Sequence, residues 1–379
     1  MVRLRNERML KVFLALALVS ELAWGGNGTA VAQPEVPVGA VYTMTNQATG
    51  NQVLMYSRDS NGTLTLMGRF PTGGRGTGDG LGSQGSLVLG NHVPLLFAVN
   101  AGSNEISVLA TMPTGLRLVH KVNSGGVRPI SLTVHNRLLY VLNDGGGSSI
   151  AGFTVGQDGH LTPLPNSIRP LSGPGVNPAQ IQFSPDGRML VVTEKASNMI
   201  DVYRVGSDGL TTGPLAQPSA GLEPFGFAFH PLTGNLVVSE AANDLPGQAS
   251  ASSYTLTNNG QLQVVSGAVH NMQQASCWVS LADQLGIAFV SNTASGTISS
   301  YRLGQDGSLS LVNPTAATTA LGSAPQDLAM SQLNRYLYVL NAGTGNIGGY
   351  QVMSDGSLMH LGDFAGVPVD AGAQGLAAR

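Results

Sequence analysis

The sequence predicts an all-β fold, a seven-bladed β-propeller of four-stranded antiparallel blades. Three observations predict it. An apolar run ending in Asn or Glu returns seven times, as YTMTN at Asn46, FAVN at Asn100, YVLN at Asn143, VVTE at Glu194, VVSE at Glu240, FVSN at Asn292 and YVLN at Asn341. The landmarks lie 54, 43, 51, 46, 52 and 49 residues apart, and strand-only repeats of this length are propeller blades. A Gly-containing turn also returns in each unit, at Gly62, Gly115, Gly159, Gly209, Gly260, Gly307 and Gly356. Finally, Gly makes up 51 of 379 residues and charged residues only 10%, against usual shares of roughly 7% and 25%. Many tight turns and few charged helices suit that balance.

Taken in order, the chain opens on a targeting segment. Arg3, Arg5, Arg8 and Lys11 form a basic region, residues 12–24 an apolar stretch, and Ala30-Val31-Ala32 a small-residue cleavage site before Gln33. Residues 1–32 therefore read as a signal peptide, 33–38 as a short linker and 39–379 as the propeller. Glu21 interrupts the apolar stretch, which disfavours a membrane span. The expected location is periplasmic or extracellular, with no membrane span after processing.

Each unit then reads as a Pro-led strand (NPAQIQFS), a turn (PDGR), the strand ending in Asn or Glu, and a third strand (IAGFTV, IDVYRV, ISSYRL, IGGYQV). A turn and a weaker fourth strand follow. Asp-Gly and Asn-Gly between apolar runs favour hairpins with positive φ. The first unit begins at its second strand from Gly39, and residues 373–378 (AQGLAA) resemble a lone first strand. The C-terminal segment is therefore expected to complete the first blade and close the ring. The Gly-rich stretch 72–85 (TGGRGTGDGLGSQG) lacks the following helix that a phosphate cradle needs, and reads as a long mobile loop over the channel face.

Removing residues 1–32 takes away four basic and two acidic residues, leaving 14 basic and 19 acidic, a net charge of −5. A nucleic-acid surface needs a clustered basic stripe, and none is visible. The single Cys277 cannot form an internal disulfide and reads as a buried inert thiol. The seven His residues show no HxxxH or HExxH spacing, so no metal site is expected. No cofactor motif stands out.

In a propeller the start of each first strand and the end of each second share one face. Ser86, Ser131, Gln180, Gly226, Cys277, Asp327 and Gly375 should stand there, with Asn46, Asn100, Asn143, Glu194, Glu240, Asn292 and Asn341 close behind. A polar funnel at a ring axis is the default binding site, so Gln180, Asp327, Glu194, Ser131, Asn143, Asn292 and Asn341 are candidate binding residues. An Asn after a strand also caps a turn through its own backbone, and that alternative stays open. A carboxylate has no such structural reason, which makes Glu240 the candidate catalytic residue.

The stretches NPAQIQFSPDGRMLVVTEKASNMIDVYRVGSDG (177–209) and EPFGFAFHPLTGNLVVSEAAN (223–243) resemble the lactonase-type seven-bladed propellers. That family includes bacterial 6-phosphogluconolactonases and fungal carboxymuconate cyclases, and SPDGR…VV is shared with YVTN-type propellers. The resemblance implies a site of a His and an Arg from one blade with an Arg-His pair and a Glu from the next. The Glu falls on Glu240, whereas the other four positions hold Ala179, Met199, Phe225 and Gly226. Two functions follow as expectations. One is an exported lactonase-like enzyme acting on a non-phosphorylated lactone in the funnel. The other is a non-catalytic periplasmic propeller that binds a small ligand or a protein.

Overall fold

The computed structural model describes residues 37–90 and 93–379. The predicted signal peptide, 1–32, and most of the linker lie outside the described residues. Seven sheets surround one axis. Their inner strands are Gln374–Ala378 in blade 1, Leu87–Leu89 in blade 2, Val127–His135 in blade 3 and Pro178–Phe183 in blade 4, followed by Pro224–Phe229, Ser276–Ala282 and Pro325–Met330 in blades 5 to 7. Each sheet then steps outward through three more antiparallel strands. Burial follows this order: the second strand Asn235–Glu240 is buried at every position, while the outermost strand of the same blade, Leu262–His270, is largely exposed. Each sheet hides its inner strands between two neighbours, so the repeat can form a core that no single blade could.

The hairpin turns adopt the conformation their sequence asks for. Gly62, Gly159, Gly209, Gly260, Gly307 and Gly356 have φ between 81° and 89°, a region where a Cβ is penalised. Gly115 departs from the expectation: it begins the strand Gly115–Asn123 and pairs with Met112, so the turn is Pro113-Thr114. Blade 3 departs too. Its outer edge is split into Leu161–Pro163 and Arg169–Pro170, both paired to Ser149–Val155. Pro163, Pro165 and Pro170 lack the N–H that a continuous ladder requires.

Tyrosines tie one blade to the next. Tyr56 Oη donates to Ala365 O at 3.1 Å, Tyr203 Oη to Pro170 O at 2.8 Å and Tyr301 Oη to Val269 O at 3.2 Å, each from a third strand to the outer strand of the preceding blade. A buried hydroxyl satisfied in this way fixes the spacing between sheets.

The ring closes as expected. Val41, Tyr42 and Thr43 pair with Ala378, Ala377 and Leu376, so the C-terminal segment is the inner strand of blade 1. Arg379 extends the ladder, its N–H donating to Ala40 O at 2.9 Å and its O accepting from Ala40 N at 3.1 Å. Deleting residues 373–379 should unpair the second strand of blade 1 and open the ring. The expected outcome is loss of soluble protein or a melting temperature lower by on the order of 10 °C, measured by circular dichroism; intact-like melting would refute this closure.

Candidate functional site

The seven strand-end residues form a ring, but it is sealed. Asn46, Asn100, Asn143, Glu194, Glu240, Asn292 and Asn341 are all fully buried. Six of the side chains turn toward the third strand or the segment arriving from the previous blade, while Asn46 donates to Thr77 Oγ1 at 3.0 Å and Asp79 O at 2.6 Å in the segment leaving blade 1. Asn292 donates to Thr297 Oγ1 at 3.0 Å and Ser299 Oγ at 2.8 Å, and accepts from Asn271 at 3.0 Å and Ser276 at 2.6 Å. Asn341 donates to Asn346 Oδ1 at 2.9 Å, and Asn143 to Ser124 O at 3.4 Å. The expectation that these residues line a funnel is therefore overturned. A strand end buried between sheets needs its polar groups paired; Asn292 pairs both ends of its amide, whereas Asn143 and Asn341 pair the amide nitrogen and leave Oδ1 buried without a partner.

The two carboxylates have a structural reason that single-strand reading missed. Glu240 accepts hydrogen bonds from the hydroxyls of Ser250 and Ser252, both on the third strand of its own blade. Gly221 packs against it so closely that a Cβ there would lie 2.1 Å from Glu240 Oε2. Burial pushes the Glu240 carboxyl upward from its ordinary value, against the bonds from Ser250 and Ser252. Glu194 accepts from Ser172 N at 3.1 Å, Ser172 Oγ at 2.5 Å and Ser197 Oγ at 2.6 Å. Where neighbouring segments supply serine donors, an acceptor-only side chain fits better than Asn. The pattern Ser-Ala-Ser at 250–252 was the available signal.

Inner-strand starts act as latches between blades. Gln180 donates to Phe227 O at 3.0 Å and accepts from Phe227 N at 2.7 Å, joining blade 4 to blade 5. Ser131 Oγ accepts from Ile181 N at 3.2 Å and donates to Gln84 O at 2.6 Å. Asp327 Oδ2 accepts from Gln374 Nε2 and Gly375 N, both at 2.8 Å. Burial pushes its carboxyl up to about 7, opposed by the Gly375 and Gln374 bonds. Cys277 is buried, and burial pushes its thiol upward.

The Gly-rich segment fills the face where the funnel was expected. It lies over the channel, as the sequence suggested, yet it is packed rather than loose: Leu81 is 3% exposed and Ser83 fully buried. Lys195 Nζ donates to Gly82 O at 2.6 Å, while Trp278 Nε1 and Gln374 Nε2 both donate to Ser83 O at 2.9 Å. The Gln84 amide donates to Val279 O at 2.9 Å and accepts from Val279 N at 3.0 Å. Gln84 N donates to Ala179 O at 3.1 Å, and Leu132 N to Gly85 O at 2.8 Å. Gly226 leaves the room this needs, since a Cβ there would meet Gln84 Oε1 at 2.2 Å. Lys195 also sits 4.7 Å from the Phe225 ring centroid, and burial lowers its ammonium from the ordinary value.

The axial channel is thereby closed at the strand starts. Its free space, about 660 Å³, reaches the ends of the inner strands at His135, Ser184, Pro231 and Asp283. Of the predicted residues, Gln180 and Asp327 reach it, at its closed end. Among the described residues no group of three or more His, Cys, Asp and Glu side chains is placed to hold a metal ion. No helix of the described residues is long and apolar enough to cross a membrane.

One buried pair has a measurable consequence. Ser172 N bonds both Glu194 Oε1, at 3.1 Å, and Asp201 Oδ2, at 2.9 Å, so two sealed carboxyls share one donor. Burial and then the Glu194 charge push Asp201 up to about 8. The folded chain thus keeps a proton that the unfolded chain releases, and stability should fall as pH rises from the ordinary carboxyl range through about 8. Melting curves across that range should show the decline for the wild type and a flatter profile for Asp201→Asn; equal slopes would refute the proton retained on Asp201.

Residues 244–368, covering most of blades 5 to 7, match the family described as Lactonase, 7-bladed beta-propeller. No curated protein matches the chain. Among solved structures, a protein of Lactobacillus plantarum matches with a TM-score of 0.74 and 18% identity, over 90% of this chain and 99% of its own. A candidate 6-phosphogluconolactonase of Bacteroides fragilis gives 0.71 and 18% over 90% and 98%. The periplasmic gluconolactonase of Pseudomonas aeruginosa gives 0.68 and 17% over 88% and 98%. Identity at this level shows a shared fold. The chain is a seven-bladed β-propeller that resembles the lactonase type, most distinctly in its last three blades.

Proposed function

We propose that this chain is an exported lactonase-like propeller that binds a small molecule rather than hydrolysing a lactone. One observation carries the reading: the Glu240 carboxylate is fully buried, with Ser250 and Ser252 as its donors. A general base must reach the proton it abstracts, and this carboxylate faces its own blade. The positions where the family resemblance expects basic groups hold Ala179, Met199, Phe225 and Gly226. A positioned acid or base contributes typically 10²–10⁴-fold, and an oxyanion donor about 10²–10³-fold. Losing both leaves little hydrolytic power. The face that a lactone would approach is occupied by residues 81–85, bound to blades 1, 3, 4 and 6. The second reading, a lactone hydrolase acting on a non-phosphorylated substrate, draws on the family match over residues 244–368. A periplasmic protein partner is the further form of the binding reading.

Proton release from a panel of aliphatic, sugar and muconate lactones separates the two. The expected outcome is no turnover above buffer for the wild type. Turnover that disappears in Glu240→Gln would overturn the binding reading in favour of the hydrolase. The same substitution should lower the melting temperature, because a Gln amide presents a donor to two hydroxyls that now donate, at a cost of about 1–3 kcal/mol. Export is checked on the full chain: the mature protein should begin at Gln33 and collect in the periplasmic fraction or the medium, and retention of residues 1–32 would refute processing.

A further inference from the structure

We infer that the outer edge of blade 3, apart from the axial channel, carries a site for a small monocarboxylate with a compact apolar body. The inference goes beyond the reading above and holds whichever way the lactone experiment falls.

The break in the outer strand builds the site. The other six blades end in continuous outer strands of eight to ten residues. In blade 3, residues 164–168 leave the ladder between the pairs Phe153–Pro163 and Ile150–Arg169. The detour is held in place. Gly152 N donates to Ser167 Oγ at 2.9 Å, and Gly152 O accepts from Leu164 N at 2.9 Å. Ser167 N donates to Leu164 O at 3.2 Å, and Asn166 makes the turn at φ 60°. Because Gly152 spends both backbone groups, an added strand finds no free edge at the gap. What the gap offers is a cleft of about 520 Å³, within the 300–1,000 Å³ range of small-molecule sites.

The lining sets the ligand class. Buried Ala151 and Phe153 lie beneath the cleft, and Pro163, Leu164, Pro165 and Ile168 form apolar walls around it. Its polar side chains are Asn166, Ser167 and Arg169, and no Asp or Glu lines it. Arg169 supplies the charge. Its Nε donates to Thr211 O at 2.9 Å, and its Nη1 to Asn166 O at 2.8 Å and Ile168 O at 2.9 Å. Those carbonyls fix the guanidinium beside the cleft without neutralising it. Of its five N–H groups, the two on Nη2 are left for a ligand. A planar cation already held in position loses little freedom on binding, and an anion meets a charge-assisted donor there. One cation matches one negative charge. A phosphate dianion would bring a second charge against apolar walls with no partner for it.

The test titrates the processed protein calorimetrically with 1-naphthylacetate and with 1-naphthylacetamide, the same body without the charge. The carboxylate should bind at least ~10-fold more tightly than the amide. Arg169→Gln should abolish that preference. Ile168→Glu, which sets a competing carboxylate beside the guanidinium, should weaken naphthylacetate at least ~10-fold. Arg302→Gln removes an exposed cation from the third strand of blade 6 and should change nothing. Absence of naphthylacetate binding, equal affinity for the amide, or a preference that survives Arg169→Gln in protein with native circular dichroism would overturn the inference. An equal loss in Arg302→Gln would overturn it too, because the attraction would then belong to the surface field as a whole. If Arg169→Gln does not fold, Ile168→Glu decides.

Discussion

The segment Leu81–Gly85 is the constraint on which the rest of this molecule depends. It leaves blade 1, crosses the axis and offers consecutive carbonyls to Lys195, Trp278 and Gln374, donors from three separate blades. Its Gln84 amide then completes a two-way bond with Val279, 195 residues away in sequence. Each such bond nets only about 0.5–1.5 kcal/mol, but leaving its partners buried and unpaired would cost more. A ring of sheets is otherwise held by neighbour contacts around its circumference, and here a strut through the middle joins blades that do not touch.

The strut has a chemical consequence. Inner-strand starts are the natural place for a propeller to gather polar groups from distant parts of the chain. In this protein those groups are spent on one another. Gln180 bonds Phe227, Ser131 bonds Gln84 and Ile181, and Asp327 bonds Gln374 and Gly375. Similarity to gluconolactonase-type structures is a similarity of fold, and function belongs to the site built on it. The same strut closes one end of the channel and leaves the opposite end as the accessible opening.

Much of the architecture was legible because it depends on local rules repeated seven times. The Asp-Gly and Asn-Gly turns took positive φ at the expected glycines, and the terminal AQGLAA strand closed blade 1. Gly115 misled because the preceding Pro113-Thr114 made the turn instead. The candidate site was legible only in part. Gln180 and Asp327 do reach the channel, whereas Glu194, Glu240, Asn143, Asn292 and Asn341 are buried latches. Their partners lie on the next strand or in the incoming segment, and a pattern read along one strand does not contain them.

Seven recurring strand ends and their Gly turns specify the number of blades, the strand order within each and the way the circle closes, since periodicity and turn chemistry act over a few residues. Which face of the circle is open was decided only in three dimensions. That outcome required a Gly-rich stretch of no regular pattern to meet Lys195, Trp278 and Gln374, residues brought together only by the closed ring.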